Sequence, residues 1–394
     1  GKELDVRGYG GALAYHNLDK VEYMAVANVS HISLTDIEKF KSLTQLAVKR
    51  CAGVFPEELD GSIVFRSVKS LTLDVCHLSS SKSSSSEVLN CFPALSVLEI
   101  VGDGDHDYEE CVMQLPSSSS LQKLRFRDCK GLVLVPVEKE NEGGIQEDKS
   151  LLQSLTIHGC GELFCRWPMG MGESETICPF PASLSRLLVW NESSMKSMAL
   201  LSNLTSLTTL SLISYSNLTV DRFNPLIAVN LKELEVIGSS SLAADMLSEV
   251  ASQRAKLFPA GSFRLEKLKV DNISGLLVAP ICNLLAPALH TLEFMEDERM
   301  ESLTEEQEKA LQLLTSLQNL IFYACEGLQS LPQGLHRLSS LKELHVVNCP
   351  KVQSMPKEGL PVSLRKVHMI GCSAEIKEQI EKIKRTNPDL SVSS

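Results

Sequence analysis

The charge and hydropathy of this 394-residue chain exclude several functional classes. Its net charge of −11 at pH 7 disfavours broad contact with nucleic acid phosphates or anionic membranes, because both require a positive surface. No apolar run approaches the roughly 18–20 residues that span a bilayer, and no leader-like segment opens the sequence. We therefore expect a soluble chain that binds neither nucleic acid nor a membrane. Since it begins at Gly1 rather than Met, we also expect it to be part of a longer protein.

An internal repeat with the spacing L-x-x-L-x-L runs along almost the whole sequence. Successive copies are separated by about 27 residues on average, within the range of roughly 20–29 typical of such repeats. Copies begin at Leu43, Val68, Leu95, Leu121, Leu152, Leu184, Leu207, Leu231, Leu265, Leu289, Leu317, Leu341 and Leu364. Earlier copies are indicated at Val21 and, in part, at Leu4.

The spacing within one copy predicts a short β-strand. The fourth and sixth residues, such as Leu344 and Val346, point to one side of a strand, while Glu343, His345 and Val347 point to the other. One copy cannot bury its apolar side alone, so neighbouring copies must stack. The predicted fold is an α/β repeat solenoid: a curved leucine-rich-repeat horseshoe with a parallel β-sheet on the concave face and an irregular, short-helical convex side.

Cysteine at the ninth position of many copies supports this fold. A small, apolar side chain fits where the chain turns out of a strand, and a free Cys has this character. These cysteines, drawn from the 12 in the chain, are Cys51, Cys76, Cys129, Cys160, Cys325, Cys349 and Cys372.

The repeats define one long domain, residues 1–372, with about 14–15 copies. A C-terminal capping helix and tail are predicted over 373–394, because Ile376, Ile380 and Ile383 recur at helical spacing.

Segments between the copies predict features of the outer side. Residues 242–258 indicate a helix, and Thr304 with Gln307 forms a capping-box pattern that opens another. Residues 138–144 indicate a polar loop, and the serine clusters at 79–86 and 117–120 suggest flexible connections.

One combined pattern resembles a known family. L-x-x-L-x-L-x-x-C followed by L-x-x-L-P, complete in 317–332 and nearly so in 341–356, resembles the C-terminal repeats of plant intracellular nucleotide-binding leucine-rich-repeat immune receptors. The opening at 8–11, Gly-Tyr-Gly-Gly, is similar to a unit common in their coiled-coil subclass, and the likeness covers nearly the whole chain. The chain has no G-x-x-x-x-G-K-[ST] loop, so we expect no cofactor here and a nucleotide only in a missing N-terminal domain.

This resemblance implies a protein-recognition function. The expected partner is a pathogen or pest effector, or a guarded host protein. The domain would also contact the receptor's nucleotide-binding domain, contribute to autoinhibition and activation, and lie in the cytoplasm, with the nucleus as a further location.

A secreted or cell-surface repeat receptor remains an alternative. It is indicated by N-x-[ST] triplets, which chance also produces in a Ser-rich chain. The absence of a signal peptide and of paired flanking cysteines weighs against it. The triplets begin at Asn28, Asn191, Asn203, Asn217 and Asn272.

Neither a metal site nor an enzyme is expected. One His and three Cys fall within 158–178 but include no C-x-x-C pair. The acidic run at 103–110 fails as a calcium loop, because Tyr108 replaces its Gly and Gln114 its Glu. No nucleophile, base and orienting group recur together.

The seventh position of each copy carries the predicted protein-binding surface on the concave face. Exposed apolar residues in a row suggest an interaction site, although loops or other domains of the receptor could cover them. The candidates, interrupted by Asp271, are Trp190, Ile213, Ile237, Met295, Tyr323, Val347 and Ile370. A secondary basic patch, suited to an acidic partner, to the receptor's nucleotide-binding domain or to solvation alone, comprises Lys49, Arg50, Lys123, Arg125 and Arg127.

Overall fold

A computed structural model shows two compact units, Gly1–Lys196 and Ser197–Ser394. Each is described by itself below. The structure describes residues 3–8, 18–30, 32–51, 54–55, 61–75, 85–102, 110–137, 150–169, 177–215, 217–239 and 241–393.

The first unit contains a parallel sheet with one strand from each repeat. The sheet order is β1-β2-β3-β4-β5-β7-β9-β10, while β6 and β8 pair in a separate parallel sheet. The strands are β1 (Glu3–Arg7), β2 (Tyr23–Ala27), β3 (Gln45–Lys49), β4 (Ser70–Asp74), β5 (Val97–Val101), β6 (Cys111–Met113), β7 (Lys123–Arg127), β8 (Leu132–Leu134), β9 (Ser154–His158) and β10 (Arg186–Trp190).

The second unit repeats this design in sequential order. Its strands pair in parallel so that equivalent repeat positions face each other, as Leu320 faces Leu344. They are β11 (Thr209–Ile213), β12 (Glu233–Ile237), β13 (Lys267–Val270), β14 (Thr291–Met295), β15 (Asn319–Tyr323), β16 (Glu343–Val347), β17 (Lys366–Ile370) and β18 (Ser391–Ser393). The predicted parallel sheet is therefore confirmed, and the partial first copies at Leu4 and Val21 also supply strands.

The core consists of the first, fourth and sixth residues of each repeat. Leu341, Leu344 and Val346 are all 0% exposed. Burying an aliphatic side chain of this size contributes about 1.5–3 kcal/mol. Because the covering atoms come from adjacent repeats, no single repeat can obtain this stabilisation alone.

A left-handed residue at the eighth position ends most of the strands. In most of these turns its backbone N–H donates to the carbonyl of the seventh residue on the next strand, as Ala324 N does to Val347 O at 2.8 Å. Arg50 and Gly238 donate instead to the side-chain carboxylates of Asp74 and Asp271. The turn therefore continues the hydrogen bonding of the sheet by one residue. The left-handed residues at this position are Gly8, Asn28, Arg50, Asp128, Gly159, Asn191, Ser214, Gly238, Glu296, Ala324, Asn348 and Gly371.

The side chain at the ninth position forms hydrogen bonds with polar backbone groups below this turn. The Cys349 thiol lies 3.5 Å from its acceptor Val347 O and 3.7 Å from Phe322 O. Cys76, which was predicted to act alike, lies outside the described residues. Where Asp297 takes the place of Cys, its carboxylate accepts three N–H groups instead, from Ile273, Arg299 and Met300.

Short helices and turns form the outer side, as predicted. The α-helices are Leu34–Ile37, Ser85–Asn90, Leu242–Ser252, Arg254–Leu257, Ile273–Leu276, Ala279–Leu285, Glu305–Gln312 and Ala374–Thr386. The 3-10 helices are Leu18–Lys20, Met198–Leu201, Pro225–Ala228 and Leu335–Arg337.

Two predictions on the outer side have clear outcomes. The capping box is confirmed, since Thr304 Oγ1 accepts the Gln307 N–H while Gln307 Oε1 accepts the Thr304 N–H. The serine cluster at 79–86 was expected to be a flexible connection, but its last residues begin the helix Ser85–Asn90. That helix buries Val88 and Leu89, so apolar residues after the serines decide its structure. Residues 79–84, and the loop predicted at 138–144, lie outside the described part.

The C-terminal segment contains the predicted helix and an additional strand. Ser373 caps Ala374–Thr386 by accepting the Ile376 N–H, and Ile376 and Ile380 are buried. Strand β18 then pairs with β17. Within the described residues, no helix has the length and apolar character required to cross a bilayer.

Gly102 is expected to be sensitive to substitution, because a Cβ there would overlap the backbone carbonyl of Asp128. Gly102→Ala should lower the free energy of unfolding by about 1–3 kcal/mol, since backbone cannot move aside as a flexible side chain can. Urea denaturation followed by circular dichroism measures the loss.

The matched control is Gly61→Ala in the same unit, where a Cβ meets open space. It should leave the midpoint unchanged or slightly raised. Equal midpoints for the two variants would show that the turn is not closely packed.

Candidate functional site

The seventh positions of β14 to β17 form a continuous apolar line on the solvent-facing side of the sheet. Met295, Tyr323, Val347 and Ile370 are in register on four adjacent strands. We call these four residues the apolar row. Because neighbouring strands lie about 4.8 Å apart, the row is about 14 Å long.

The apolar row is accessible. Tyr323 is 37% exposed and Ile370 42%, while Met295 and Val347 are half-buried. Ile321, two residues before Tyr323, is also half-buried on the same side of β15. A tyrosine ring flanked by aliphatic side chains on a hydrogen-bonded sheet is a rigid apolar surface, of the kind that interfaces use.

The predicted row is shorter than the sequence suggested. Ile237 is only 8% exposed, which corrects the expectation that it is an accessible contact residue. Beyond it, the Asp271 carboxylate on the next strand accepts the Gly238 N–H at 2.6 Å, so this row position carries a polar group in place of an apolar one. Ile213 is half-buried and is separated from the apolar row by Ile237 and Asp271.

Trp190 lies in the first unit, and its side chain contacts that of His158 on the neighbouring strand. Its side chain is 49% exposed, and it meets His158 edge-on with ring centroids 4.6 Å apart. His158 Nδ1 lies 3.4 Å from the Asp128 carboxylate. Trp190 and His158 therefore form an aromatic pair within the first unit.

Charged residues beside the row's N-terminal end are paired among themselves. Glu233 binds Lys267 at 3.3 Å, and Lys269 lies 3.0 Å from Glu235 and 3.9 Å from Glu293. These alternating charges occupy the third and fifth positions of β12 to β14. They neutralise one another, so this part of the sheet presents little net charge to a partner.

Two histidines lie beside the other end of the row. The His345 and His368 rings are 5.5 Å apart, and His345 Nε2 is 2.9 Å from Glu343. Hydrogen bonding to His345 lowers the pKa of the Glu343 carboxyl. His368 Nδ1 is hydrogen-bonded to Ser393 on β18. These polar groups form a hydrophilic edge along the row.

The predicted basic patch is divided by the strand order. Lys49 and Arg50 lie at the end of β3, whereas Lys123, Arg125 and Arg127 lie on β7, and β4 and β5 intervene. The two groups are thus three strand spacings apart, about 14 Å. The two intervening strands belong to the copies that begin at Val68 and Leu95.

Cys160, one of the residues rejected above as metal ligands, has a structural role. The Cys160 thiol donates to His158 O at 3.6 Å, as its place in the repeat requires. In the described ranges, no three or more His, Cys, Asp or Glu side chains are arranged to hold a metal ion. Residues 103–109 of the acidic run lie outside those ranges.

Comparison with solved structures identifies the architecture. TLR13, in a complex with ssRNA13, aligns with 94% of this chain and 55% of its own at 13% identity and a TM-score of 0.51. The chain has a leucine-rich-repeat fold. Such folds are typically protein-binding scaffolds rather than enzymes, and this chain spans about half the length of TLR13.

Two further leucine-rich-repeat proteins show weaker similarity. An internalin of Listeria monocytogenes matches at 15% identity and a TM-score of 0.42, covering 90% of this chain and 82% of its own. A protein of Leptospira interrogans matches at 14% identity and a TM-score of 0.39, covering 95% and 90%. No protein-family model and no curated protein matches the chain.

The raised pKa of the Asp271 carboxyl predicts that the stability of the chain depends on pH. Burial raises the pKa of this carboxyl above its ordinary 3.8, so folding favours its neutral form. Its stabilising contribution is complete below pH 3.8 and is lost as pH rises through the raised pKa. Asp271→Asn keeps an acceptor for Gly238 but cannot ionise. The melting temperature of this variant should therefore rise relative to the native chain between about pH 4 and 7.

Melting curves across this pH range measure the effect. Asp389→Asn, at an exposed carboxyl in the same unit, is the control and should track the native chain. A difference between Asp271→Asn and the native chain that does not change with pH would refute the prediction.

Proposed function

We propose that this chain is the protein-recognition domain of a plant innate immune receptor and that the apolar row is its principal contact surface. The observation that supports the contact surface is the row itself. Four apolar side chains lie in register on adjacent strands, with Tyr323 and Ile370 exposed. In an isolated monomer this alignment leaves apolar surface exposed to water, whereas a partner can cover all four side chains together.

The surroundings of the row suit a protein partner. The fifth positions of the same strands supply Glu293, His345 and His368 beside the apolar side chains. Protein interfaces have this arrangement, with an apolar centre inside a polar rim. Aromatic anchors at the centre contribute most of the affinity, so Tyr323 should contribute more than Met295.

The receptor class is supported by the resemblance of the repeats. The pattern L-x-x-L-x-L-x-x-C with L-x-x-L-P is complete at 317–332, where Cys325 is buried as the pattern requires. On this proposal the partner is a pathogen or pest effector or a guarded host protein, met in the cytoplasm or nucleus. The domain also contacts the receptor's nucleotide-binding domain, the part of the receptor that would hold the nucleotide.

The alternative, a cell-surface receptor, is indicated by the N-x-[ST] triplets, but several of their asparagines have structural uses. Asn28 and Asn191 adopt the left-handed turn conformation, which Asn tolerates better than most residues. Asn272 caps the helix Ile273–Leu276 by accepting the Gly275 N–H at 2.9 Å. Local backbone geometry thus accounts for these asparagines without glycosylation.

The double variant Tyr323→Ala, Ile370→Ala tests the proposal. A partner captured from pathogen-challenged plant tissue, but not from unchallenged tissue, is identified by mass spectrometry, purified and titrated by calorimetry. Loss of two exposed apolar anchors should weaken its binding about 10- to 100-fold, because each truncation costs about 1 kcal/mol or more.

Leu226→Ala, Val362→Ala is the matched control, since both residues are exposed aliphatics of the second unit outside the row. It should bind like the native chain. Equal binding by the row variant would remove the row as the contact surface. Capture of the same proteins with and without challenge would argue against direct effector recognition.

A further inference from the structure

The solvent-facing side of β5, β7, β9 and β10 in the first unit has a composition unlike the rest of the chain. The strands pair in register, so their outward residues form a regular grid of three rows. The rows are Val97, Lys123, Ser154 and Arg186; then Glu99, Arg125, Thr156 and Leu188; then Val101, Arg127, His158 and Trp190. We call these positions the basic grid.

The basic grid is positive in a strongly negative chain. It holds four cationic side chains and one carboxylate, a local net charge of +3 against −11 for the whole sequence. Glu99 forms an ion pair with Arg127 at 2.9 Å. Within the described residues, Lys123, Arg125 and Arg186 have no ion-pair partner, and all three are exposed. The Asp128 carboxylate, one residue after β7, lies beside His158.

The spacing of the cations defines the shape of a complementary ligand. Lys123, Arg125 and Arg127 occupy alternate residues of one strand, so their Cβ atoms are about 6.6–6.8 Å apart. Like charges on one face of a sheet repel, and an anionic ligand relieves that repulsion. An extended peptide has the same two-residue repeat, so alternate carboxylates along it would meet these cations in turn.

Apolar side chains of the grid add a second requirement. Trp190 is 49% exposed and is held by its edge contact with His158, and Leu188 lies two residues before it on β10. A ligand that covers both must carry a large apolar group about 10 Å, or two strand spacings, from its acidic groups. A protein segment supplies acidic and apolar side chains together, and its two-residue repeat matches the spacing of the cations along β7.

We propose that the basic grid binds an extended acidic segment of a partner protein, with carboxylates on alternate residues and one large apolar side chain that covers Trp190. This surface goes beyond the proposed function. It shares no residue with the apolar row, and a direct titration tests it without any immune partner. Failure of either proposal leaves the other standing.

The test uses the whole chain and a fluorescein-labelled peptide of about nine residues, with Glu at alternate positions, Ser between them and one Phe at the end. Fluorescence anisotropy should show binding at about 50 mM NaCl that weakens at least tenfold at about 300 mM, because salt screens exposed charges. Lys123→Gln, Arg125→Gln should weaken binding at least tenfold. A peptide with Gln in place of Glu should not bind.

A matched control and a second variant keep the result interpretable. Arg254→Gln, Lys256→Gln removes two exposed cations from the second unit and should bind like the native chain. Trp190→Ala should weaken binding of the Phe peptide but not of one with Ser in its place. Circular dichroism establishes that each variant is folded.

Three outcomes would overturn the proposal. The neutralised variant could bind as well as the native chain, or the Gln peptide could bind as well as the Glu peptide. A single-stranded oligouridylate could also bind more tightly than the peptide and lose binding in the Lys123→Gln, Arg125→Gln variant, which would assign the grid to nucleic acid.

Discussion

The backbone hydrogen bond that closes most of the strands is the interaction on which the side-chain surfaces depend. The N–H at the eighth position donates to the seventh carbonyl of the next strand, as Asn348 N donates to Ile370 O at 2.7 Å. At most of these strands the eighth residue also adopts the left-handed conformation, which costs roughly 1–2 kcal/mol for a residue with a side chain. Packing and hydrogen bonding from both neighbouring repeats maintain it. As a result, neighbouring strands pair in register, as β14 to β17 do over their whole lengths.

Because neighbouring strands pair in register, residues at the same position of successive repeats lie side by side and form a surface. Residues separated by a full repeat in sequence, such as Tyr323 and Val347, become neighbours about 4.8 Å apart. The apolar row and the basic grid are two results of the same geometry with different side chains. Neither requires a loop to be ordered, so their side chains are held on rigid backbone before any partner arrives. That reduces the conformational entropy lost on binding.

Much of the fold could be predicted because the leucine spacing is both periodic and physically constrained. The strands followed from alternate burial, and the helix after Thr304 from a local capping pattern. The left-handed turns could not be predicted, since Arg50, Glu296 and Ala324 have no intrinsic preference for that conformation. There, contacts between repeats override local propensity.

The surfaces were harder to predict because exposure depends on neighbouring strands. Ile237 occupies the same repeat position as Tyr323, yet the neighbouring Asp271 bonds back to Gly238 and Ile237 is buried. The basic residues Lys49 and Arg127 also share a position, but the number of strands between them sets their distance. An alignment of the repeats shows in which row across the strands a residue lies. The interstrand contacts determine whether that residue is accessible.

Pairing of equivalent positions also affects how such a chain can change over evolution. Because Leu320 pairs with Leu344 and Leu344 with Val367, duplication or deletion of one whole repeat leaves every other pair matched. Such an event would lengthen or shorten a surface by one strand spacing and alter one side chain in each row. Partner specificity can therefore be revised in units of a repeat, by recombination, while the core residues that stabilise the fold stay unchanged.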